Sequence, residues 1–434
     1  MSGGPSSSSG GQACLQPAGL SGALDEAAFR KSVEELARRH EILRATVATV
    51  DGEPLLQVDD AARVAFAAED LRRDGAGRSG AEAEALRRAT AALRDPFDLQ
   101  RGPLVRVALL RTGAERHLLS IVAHHLVCDG WSLGVALREL AACYAAYTSG
   151  GEPELPPLPV RYRDVAAWQA ERAERGDWHE ALEYWTAELA GLPTLDLPAD
   201  RPRPAVQTAR GGRTPVRIPG DVAAALGRHA RESDATLFMA LLAAFQVLLA
   251  RLTGHDDIPV GSPAANRRRP ELQGLIGPLV NLLVLRGDLS GDPTFRELLR
   301  RTRDRCVEAY SRQEVPFERV VRELGLVRTD GAPLVQVAFT MQNAPLPATP
   351  FGSLSLERVE LEPDAVQYDL DMEVWGLPSG LEATLGYSSE LFDARTAARL
   401  AGHLEAPTAA CTSSSRSRRL GRRARRRSSP ARAS

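Results

Sequence analysis

Two adjacent histidines, followed by an aspartate and a glycine, are the residues of this sequence that are best suited to chemistry. They occupy the segment His124-His125-Leu126-Val127-Cys128-Asp129-Gly130, which we call the signature segment. A neutral imidazole accepts a proton from an attacking amine, and a carboxylate fixes nearby geometry without itself reacting. The types and spacing of His125 and Asp129 therefore indicate acyl transfer with an imidazole that handles the proton.

Three other interpretations use the same residues. The two histidines could be structural, or His124, His125 and Asp129 could ligate a metal. Adjacent residues that leave a strand point to opposite faces, which disfavours a shared ion. Cys128 could be a thiol nucleophile, but apolar residues flank it and the sequence offers no separate activating partner. The metal and thiol interpretations are therefore disfavoured.

The signature segment is predicted to lie on a loop between a strand and a helix. Residues 103–111 and 117–123 are apolar, β-compatible runs separated by residues 112–115, which predicts a hairpin. Ser132 is the predicted N-cap of the following helix. Apolar side chains recur along that helix at helical spacing, at Leu133, Leu137, Leu140, Tyr144 and Tyr147.

The remaining pattern predicts helices and strands in irregular alternation. A helix over 24–39 has acidic residues in its first turn and basic ones in its last, which suits the helix dipole. The proline-rich residues 193–204 predict a linker. Beyond them we predict a buried helix over 236–252, a helix with Asp292 at its cap and Pro293 first, and strands at 257–262, 277–286, 334–342, 354–361, 368–376 and 381–387. The alternation favours a two-lobed α/β enzyme over a solenoid.

Length and composition are those of a folded globular protein. Of the 434 residues, 44% are hydrophobic and 25% are charged, and this length allows two lobes with separate cores. The longest apolar stretch, 237–250, is shorter than the ~20 residues of a membrane span. No secretory signal is visible, so we expect a cytoplasmic protein. Five scattered cysteines predict neither a disulfide framework nor a zinc site.

The net charge of −2 conceals an uneven distribution. Nine arginines lie between Arg416 and Arg432, so the first 415 residues carry a formal charge of −11. An acidic body is not typical of a nucleic-acid-binding protein, although the basic tail alone would attract any polyanion. A selected basic arm and a shifted reading frame are the two interpretations of this tail.

The signature segment, with Trp131 and Ser132 after it, resembles the HHxxxDG signature of the condensation domains of non-ribosomal peptide synthetases. Further motifs of that family follow the same order over residues 20–405, so the resemblance covers most of the chain. They are Arg39-His40-Glu41-Ile42-Leu43-Arg44, Pro96-Phe97-Asp98-Leu99 with Gly102-Pro103-Leu104, Tyr162-Arg163-Asp164-Val165-Ala166-Ala167-Trp168, Leu197-Pro198-Ala199-Asp200-Arg201-Pro202-Arg203-Pro204 and Ile276-Gly277-Pro278-Leu279-Val280-Asn281.

The resemblance implies an α/β fold of two chloramphenicol acetyltransferase-like lobes, which form a V-shaped pseudo-dimer with a central tunnel. We accordingly expect disordered residues at 1–19, an N-terminal lobe over 20–192, a linker over 193–206, a C-terminal lobe over 207–405 and a disordered tail over 406–434.

The implied reaction joins a donor acyl thioester to an acceptor aminoacyl thioester through an amide bond. Both substrates would be carried on phosphopantetheine arms, with no cofactor bound directly to this chain. The implied partners are upstream and downstream peptidyl or acyl carrier domains and an adenylation domain. No membrane and no specific nucleic acid are expected.

The resemblance also implies roles for single residues. His125 is the catalytic position and would act on the acceptor amine, either as base or by positioning it. His124 and Asp129 would hold the loop. The Gly130 N–H is a candidate oxyanion donor or a plain turn glycine. Asp129 is expected to pair with Arg267 or Arg44, and Trp131, Ser132 and Asn281 are taken as tunnel or motif residues.

Some positions depart from the family pattern. Arg312 stands where histidine is usual, Leu282 stands where threonine is usual, and residues 328–334 lack the usual Ser-Arg. The opening motif is absent and the closing helix over 394–405 passes into unrelated sequence, so we expect the first strand to be missing and its neighbour to lack pairing.

The order of Trp131 and Ser132 favours condensation over epimerisation, and both signature histidines are intact. Intact histidines also argue against a heterocyclisation domain and against a recruitment module. The alternative function is that of a truncated relic that only binds carrier domains.

Overall fold

The computed structural model describes residues 13–60, 64–74, 77–325, 334–342, 351–359, 365–377 and 380–413. The low-complexity residues 1–12, the arginine-rich residues 414–434 and most of the departure at 328–334 lie outside these ranges.

Strands and helices alternate along the described chain. The strands are β1 (Ala13–Ser21), β2 (Ala45–Val50), β3 (Glu53–Val58), β4 (Ala65–Asp70), β5 (Val105–Arg111), β6 (Arg116–His124), β7 (Gly211–Ile218), β8 (Asp257–Ala264), β9 (Asn281–Asp288), β10 (Val337–Gln342), β11 (Ser355–Arg358), β12 (Leu370–Leu377) and β13 (Gly380–Ser388). The helices are α1 (Glu26–Arg39), α2 (Gly77–Arg94), α3 (Gly130–Thr148), α4 (Tyr162–Arg175), α5 (His179–Leu189), α6 (Gly220–Glu232), α7 (Leu237–Thr253), α8 (Pro270–Gln273), α9 (Phe295–Ser311), α10 (Phe317–Leu324) and α11 (Ala394–Ser413).

The chain divides into two compact units that are not consecutive in sequence. Unit 1 comprises the described residues within Met1–His179, Ala265–Val280 and Ala344–Ala365. Unit 2 comprises those within Glu180–Ala264, Asn281–Asn343 and Val366–Ser434. The predicted consecutive lobes over 20–192 and 207–405 therefore differ from the observed units, because two later segments fold with the first unit.

Unit 1 is built on a five-stranded sheet in the order β11-β1-β6-β5-β4, in which β4 and β5 are parallel and the other pairs are antiparallel. The predicted hairpin is confirmed as β5 and β6. Helices α1 and α3 supply apolar faces to the core of this unit, whose largest fully buried side chains include Phe29 and Tyr144. Ile276, from the later segment, is part of the same core.

Unit 2 contains a mixed six-stranded sheet in the order β7-β13-β12-β10-β8-β9. Strand β10 runs parallel to both of its neighbours. The predicted buried helix is confirmed as α7, which is apolar around most of its circumference and packs Phe245 against Phe339 of β10, with ring centroids 5.9 Å apart. The α/β class expected from the sequence is confirmed, while the V shape and the tunnel stay predictions.

The two ends of the chain differ from the sequence-based expectation. Residues 13–21, expected to be disordered up to residue 19, form β1, which pairs along its length with β6 and also with β11. The expected missing strand is therefore present, because backbone hydrogen bonding to β6 does not require a family-like side-chain pattern. Helix α11 continues to Ser413, so the tail expected from residue 406 begins in helix.

The residues predicted to be a linker are bonded to unit 2. The backbone of Leu195 exchanges hydrogen bonds with the side-chain amide of Gln336, at 2.7 and 3.2 Å. Arg203 forms an ion pair with the buried Asp369. These contacts fix the segment, because satisfied buried polar groups are costly to separate.

Two predicted helix starts are wrong by a few residues. Asp129, not Ser132, is the N-cap of α3, and its side chain accepts from the Ser132 N–H. Thr294, not Asp292, caps α9, where it forms a capping box with Glu297. In both cases several capping residue types occur close together, and the backbone path selects among them.

No single helix in the described ranges is long and apolar enough to cross a membrane. Helices α6 and α7, which meet at 108°, satisfy the length and composition criteria only when taken together.

The stability of unit 1 is expected to fall in mild acid through His117 of β6. Burial lowers the pKa of this imidazole to about 4. Between that value and the ordinary pKa of about 6.5 the unfolded chain binds more protons, so unfolding becomes easier as the pH falls. After allowance for solvent screening, we expect a loss of roughly 1–2 kcal/mol between pH 7 and 5 that His117→Gln does not show.

Urea unfolding of both proteins at the two pH values measures this difference. Equal losses in the wild type and in His117→Gln would show that other groups carry the acid sensitivity.

Candidate active site

The signature segment joins the central strand of unit 1 to its longest buried helix. His124 is the last residue of β6, residues 125–127 form a turn, and α3 begins at Gly130. We call residues 125–129 the signature loop. A hydrogen bond from the Val127 N–H to the His124 carbonyl closes its turn at 3.0 Å. The sequence prediction of a strand-loop-helix position is confirmed.

Asp129 anchors the signature loop with both carboxylate oxygens. The side chain is 2% exposed. Its Oδ1 accepts from the Ser132 N–H at 2.8 Å and from the Ser132 hydroxyl at 2.6 Å. Its Oδ2 accepts from the N–H groups of Leu279 and Val280, at 3.0 and 3.1 Å. A buried carboxylate needs this many donors to compensate for the loss of water.

Arg267 is the charged partner of Asp129. Its Nη2 lies 3.1 Å from each carboxylate oxygen, and its side chain is 1% exposed. Its Nη1 donates to the carbonyls of Leu272 and Leu275, at 2.8 and 2.6 Å. Burial lowers the pKa of the guanidinium, and the Asp129 carboxylate opposes that shift. The pair holds residues 267–280 against the signature loop.

Arg44, the other arginine considered from the sequence, lies elsewhere in unit 1. Its guanidinium donates to the carbonyls of Ala37 and Asp59, at 3.0 Å each, and to the Asp60 carboxylate at 2.8 Å. The Asp60 side chain is 98% exposed. Arg44 therefore stabilises the chain after α1 and is not a partner of Asp129.

The motif that contains Arg44 reaches α3 through its earlier residues. Arg39 donates to Glu139 at 3.1 Å, and the His40 ring shares the same carboxylate oxygen at 2.8 Å. The His40 side chain is fully buried, and that of Glu139 is 9% exposed. This cluster fixes the end of α1 against the helix that carries the signature loop.

Ser132 and Trp131 connect the first turn of α3 to the same later segment. The Ser132 hydroxyl lies 3.1 Å from both the N–H and the carbonyl of Gly277. The indole N–H of Trp131 donates to the Gln273 carbonyl at 2.9 Å. Both predicted motif residues therefore act as structural contacts of the helix start.

His124 is buried and neutral. Its Nδ1 accepts from the Leu126 N–H at 3.1 Å, which places the proton of the neutral ring on Nε2. The edge of its ring meets Phe97, with centroids 5.7 Å apart. Burial lowers the pKa of His124, and the neighbouring His125 lowers it further. These contacts agree with a loop-holding role.

His125 is the half-buried histidine of the pair. Burial lowers the pKa of its imidazole, while hydrogen bonding to the Cys128 backbone and the charge of Asp129 act in the opposite direction. Because the shift is downward from about 6.5, the ring is predominantly neutral at pH 7. A neutral imidazole at this position is able to accept a proton.

Gly130 is the first residue of α3 and is exposed. A Cβ added at this position would meet nothing within 4 Å, so packing does not require glycine here. The helix N-terminus gives the Gly130 N–H a favourable direction for a developing negative charge. Its role as an oxyanion donor stays a prediction.

Asn281 belongs to unit 2, where its side chain is an internal clamp. Its Nδ2 donates to the carbonyls of Gln313 and Val315, at 2.8 and 2.6 Å. Its Oδ1 accepts from the N–H groups of Leu282 and Phe317, at 3.0 Å each. The amide thus ties the start of β9 to the turn before α10, and these four bonds give it a structural function in unit 2.

Tyr162 and Gly277 are site residues to which sequence reasoning assigned no role, although both stand in recognised motifs. A Cβ at Gly277 would lie 2.2 Å from Cδ2 of Tyr162, so the ring and the glycine backbone are in direct contact. Burial raises the pKa of Tyr162 to about 12, which keeps its hydroxyl protonated. Only the fold brings α4 against the segment that follows α8.

We expect Gly277→Ala to destabilise unit 1 by about 1–3 kcal/mol, because the added methyl group forces the Tyr162 ring away from a close-packed site. Gly274→Ala is the matched control, since its Cβ would come no closer than 3.7 Å to Leu158. Thermal unfolding of both variants tests this prediction. Equal melting temperatures would show that the loop yields without cost.

Among the described residues no group of three or more His, Cys, Asp or Glu side chains is arranged to hold a metal ion. His124 and Asp129 are engaged by protein donors, as described above.

The family follows from comparison of the whole chain. The model of the condensation domain family matches residues 6–418. The chain is 42% identical over 388 residues to a linear gramicidin synthase of Brevibacillus parabrevis, and this alignment covers 88% of the chain but 5% of that protein. It is 42% identical over 392 residues to the phosphinothricin tripeptide synthetase PhsB of Streptomyces viridochromogenes, with 88% and 32% covered. The chain thus spans a small part of these relatives.

Solved structures agree with this result. The X-domain from teicoplanin biosynthesis superposes with a TM-score of 0.82 at 28% identity, covering 96% of this chain and 93% of that one. SgcC5 from Streptomyces globisporus gives a TM-score of 0.76 at 30% identity, with 92% of each chain covered.

This chain therefore belongs to the condensation domain family. Condensation domains are acyltransferases that form amide bonds in non-ribosomal peptide synthesis. The acyl-transfer chemistry inferred from the signature segment is the chemistry of this family.

Proposed function

We propose that this domain forms an amide bond between a donor acyl or aminoacyl thioester and an acceptor aminoacyl thioester, each carried on the phosphopantetheine arm of a carrier domain. The strongest support is the neutral, half-buried His125 beside the anchored Asp129. Upstream and downstream carrier domains and an adenylation domain are the partners that this reaction requires. The relatives that share this sequence are synthetases of peptide products, which supports the same context.

The reaction is a transfer of the donor acyl group from sulfur to nitrogen. The acceptor α-amine attacks the thioester carbonyl, a C–N bond forms, and the C–S bond breaks to release a pantetheine thiolate. One proton leaves the amine and one is required by the thiolate. His125 would accept the first and return it to the sulfur, or hold the amine in line while solvent carries the proton.

Asp129 and Arg267 would contribute by position and not by proton transfer. Each is about 1–2% exposed and each is saturated by hydrogen bonds within unit 1. A group held in this way keeps one geometry, and small displacements in a reacting site cost rate steeply. The Gly130 N–H would stabilise the oxyanion of the tetrahedral intermediate.

The test is a reconstitution with two carrier domains. The donor carrier is loaded in turn with the N-acetyl form of each proteinogenic L-amino acid, and the acceptor carrier with the free amino acids. Mass spectrometry of the acceptor arm detects the N-acetyl dipeptidyl product. We expect product with at least one pair, and the same reaction with His125→Ala as background. No product above background with any pair would contradict the proposal.

The rate of the reaction is expected to depend on pH through His125. Because burial places its pKa below the ordinary value of about 6.5, the ring stays neutral until the pH falls below that value. The rate should therefore decline as the pH decreases through a midpoint below 6.5. His125→Gln should lack this inflection and keep the one that belongs to the acceptor amine. A midpoint above 6.5 would contradict the burial of the ring.

A second candidate function is binding without catalysis. The X-domain to which this chain is similar has also been solved in a complex with OxyB, with a TM-score of 0.80 and 28% identity to this chain. A chain that only binds carrier domains would show association with both loaded carriers and no transfer in the reconstitution. The two functions are thus separated by one experiment.

A further inference from the structure

Two thiols meet at the signature loop of unit 1. Cys14 lies in β1 opposite Ala123 of β6, and Cys128 is the residue immediately before Asp129. Strand β1 was not expected from the sequence, so neither was this meeting. Neither thiol has a part in the proposed amide-forming reaction.

The contacts place the two side chains side by side. The Sγ of Cys14 is 3.4 Å from the Ala123 carbonyl oxygen and 3.9 Å from that of Cys128. The two thiols are also hydrogen-bonded to each other. The Sγ of Cys128 lies 3.5 Å from the Asp129 carbonyl oxygen. Both sulfurs are therefore held at the backbone that carries the site.

The two cysteines differ in exposure. Cys14 is partly exposed, whereas Cys128 is 2% exposed and Cys143 and Cys306 are fully buried. A small oxidant from solvent therefore reaches Cys14 first. Its hydrogen-bonded neighbour, Cys128, is the thiol positioned to react with the product.

We propose that Cys14 and Cys128 form an oxidative modification site, which takes a small peroxide and closes an intramolecular disulfide that inactivates the signature loop. The inactivation rests on the proposed amide-forming function, whereas the disulfide itself does not.

The chemistry is a two-electron oxidation in two steps. The Cys14 sulfur attacks hydrogen peroxide, the O–O bond breaks, and Cys14 becomes a sulfenic acid with release of one water. The Cys128 sulfur then attacks the sulfenic sulfur. The S–O bond breaks, the S–S bond forms, and the displaced hydroxide takes the thiol proton to give a second water. Burial and the neighbouring thiol raise the pKa of Cys128, so the second step is expected to be the slower one.

Closure must move the signature loop. A disulfide requires an S–S bond of about 2.05 Å and a fixed dihedral, which is far shorter than the separation of two hydrogen-bonded thiols. Cys128 cannot follow without pulling on Asp129, whose carboxylate is held by Arg267 and the 279–280 backbone. A displacement of ~1 Å in a catalytic geometry costs on the order of 10²-fold in rate. We therefore expect at least a tenfold loss of activity, reversed by a thiol reductant.

The experiment uses the full chain, reduced, freed of reductant and treated with hydrogen peroxide. Non-reducing peptide mapping by mass spectrometry should detect the peptides of Cys14 and Cys128 joined and lighter by two hydrogens. The amide-forming rate is measured before oxidation, after it, and after dithiothreitol. Cys14→Ser should retain full activity and resist inactivation, while Cys143→Ser should behave like the wild type.

Each outcome decides a separate part. Joined peptides with a reversible loss of rate support the proposal. Joined peptides with an unchanged rate overturn the inactivation, and a Cys14 peptide oxidised without its partner overturns the disulfide. If the reduced protein forms no amide, the proposed function fails, yet the mapping still reports whether the disulfide forms.

Discussion

Replacing His125 by alanine is expected to lower the rate of amide formation by ~10²–10⁴-fold while the domain stays folded. The side chain is half-buried at a turn and contributes no packing to the core of unit 1, so its loss leaves the fold intact. The rate falls because the acceptor amine then lacks the group that takes its proton or holds it in line. Single-turnover transfer between loaded carriers, with circular dichroism as the fold check, measures both effects.

Two variants sharpen this test. His229→Ala removes a histidine of α6 in unit 2 and should leave the rate unchanged. His125→Gln keeps a hydrogen-bonding side chain that cannot act as a base at neutral pH. If His125→Gln is as slow as His125→Ala, the imidazole acts as the base; if it retains most of the rate, positioning dominates. Wild-type turnover in His125→Ala would remove His125 from the catalytic site.

Replacing Asp129 by asparagine is expected to reduce both stability and activity. The substitution leaves the buried guanidinium of Arg267 without its counter-charge and converts an acceptor of Leu279 or Val280 into an NH₂ donor. Breaking a buried pair in this way costs about 3–5 kcal/mol. The signature loop loses its anchor, so the rate should decline together with the melting temperature.

The matched control is Asp60→Asn, at the other aspartate that pairs with an arginine of interest. Its side chain is 98% exposed, and its ion pair with Arg44 is therefore screened by water. We expect no measurable change in melting temperature or rate. A similar effect of both substitutions would show that Asp129 is not the anchor that its six hydrogen bonds indicate.

The sequence alone determined the local chemistry and its local setting. The spacing of His125 and Asp129, the apolar runs of β5 and β6 and the stripe of α3 depend on neighbours within a few residues, and periodicity reports these directly. The position of the signature loop between strand and helix followed from them. The order of the motifs was sufficient for the family and for the α/β class.

Choices between distant partners were beyond the sequence. Arg267 and Arg44 are both arginines within family motifs, and only the packing of residues 265–280 onto unit 1 decides that Arg267 meets Asp129. Backbone donors carry no sequence signal, so the Leu279 and Val280 N–H groups could not be found from residue types. The predicted strand over 277–286 begins at Asn281, because the preceding residues bond to Asp129 and Ser132 instead.

The first strand illustrates the same division most clearly. The sequence showed that residues 13–21 lack the family's opening pattern, and from this the absence of a strand was wrongly inferred. Strand β1 forms because its backbone pairs with β6 on one side and β11 on the other, an interaction that depends on N–H and carbonyl groups and not on side-chain type. Residue types determine what a site can do chemically, whereas long-range backbone pairing and burial decide which residues share it.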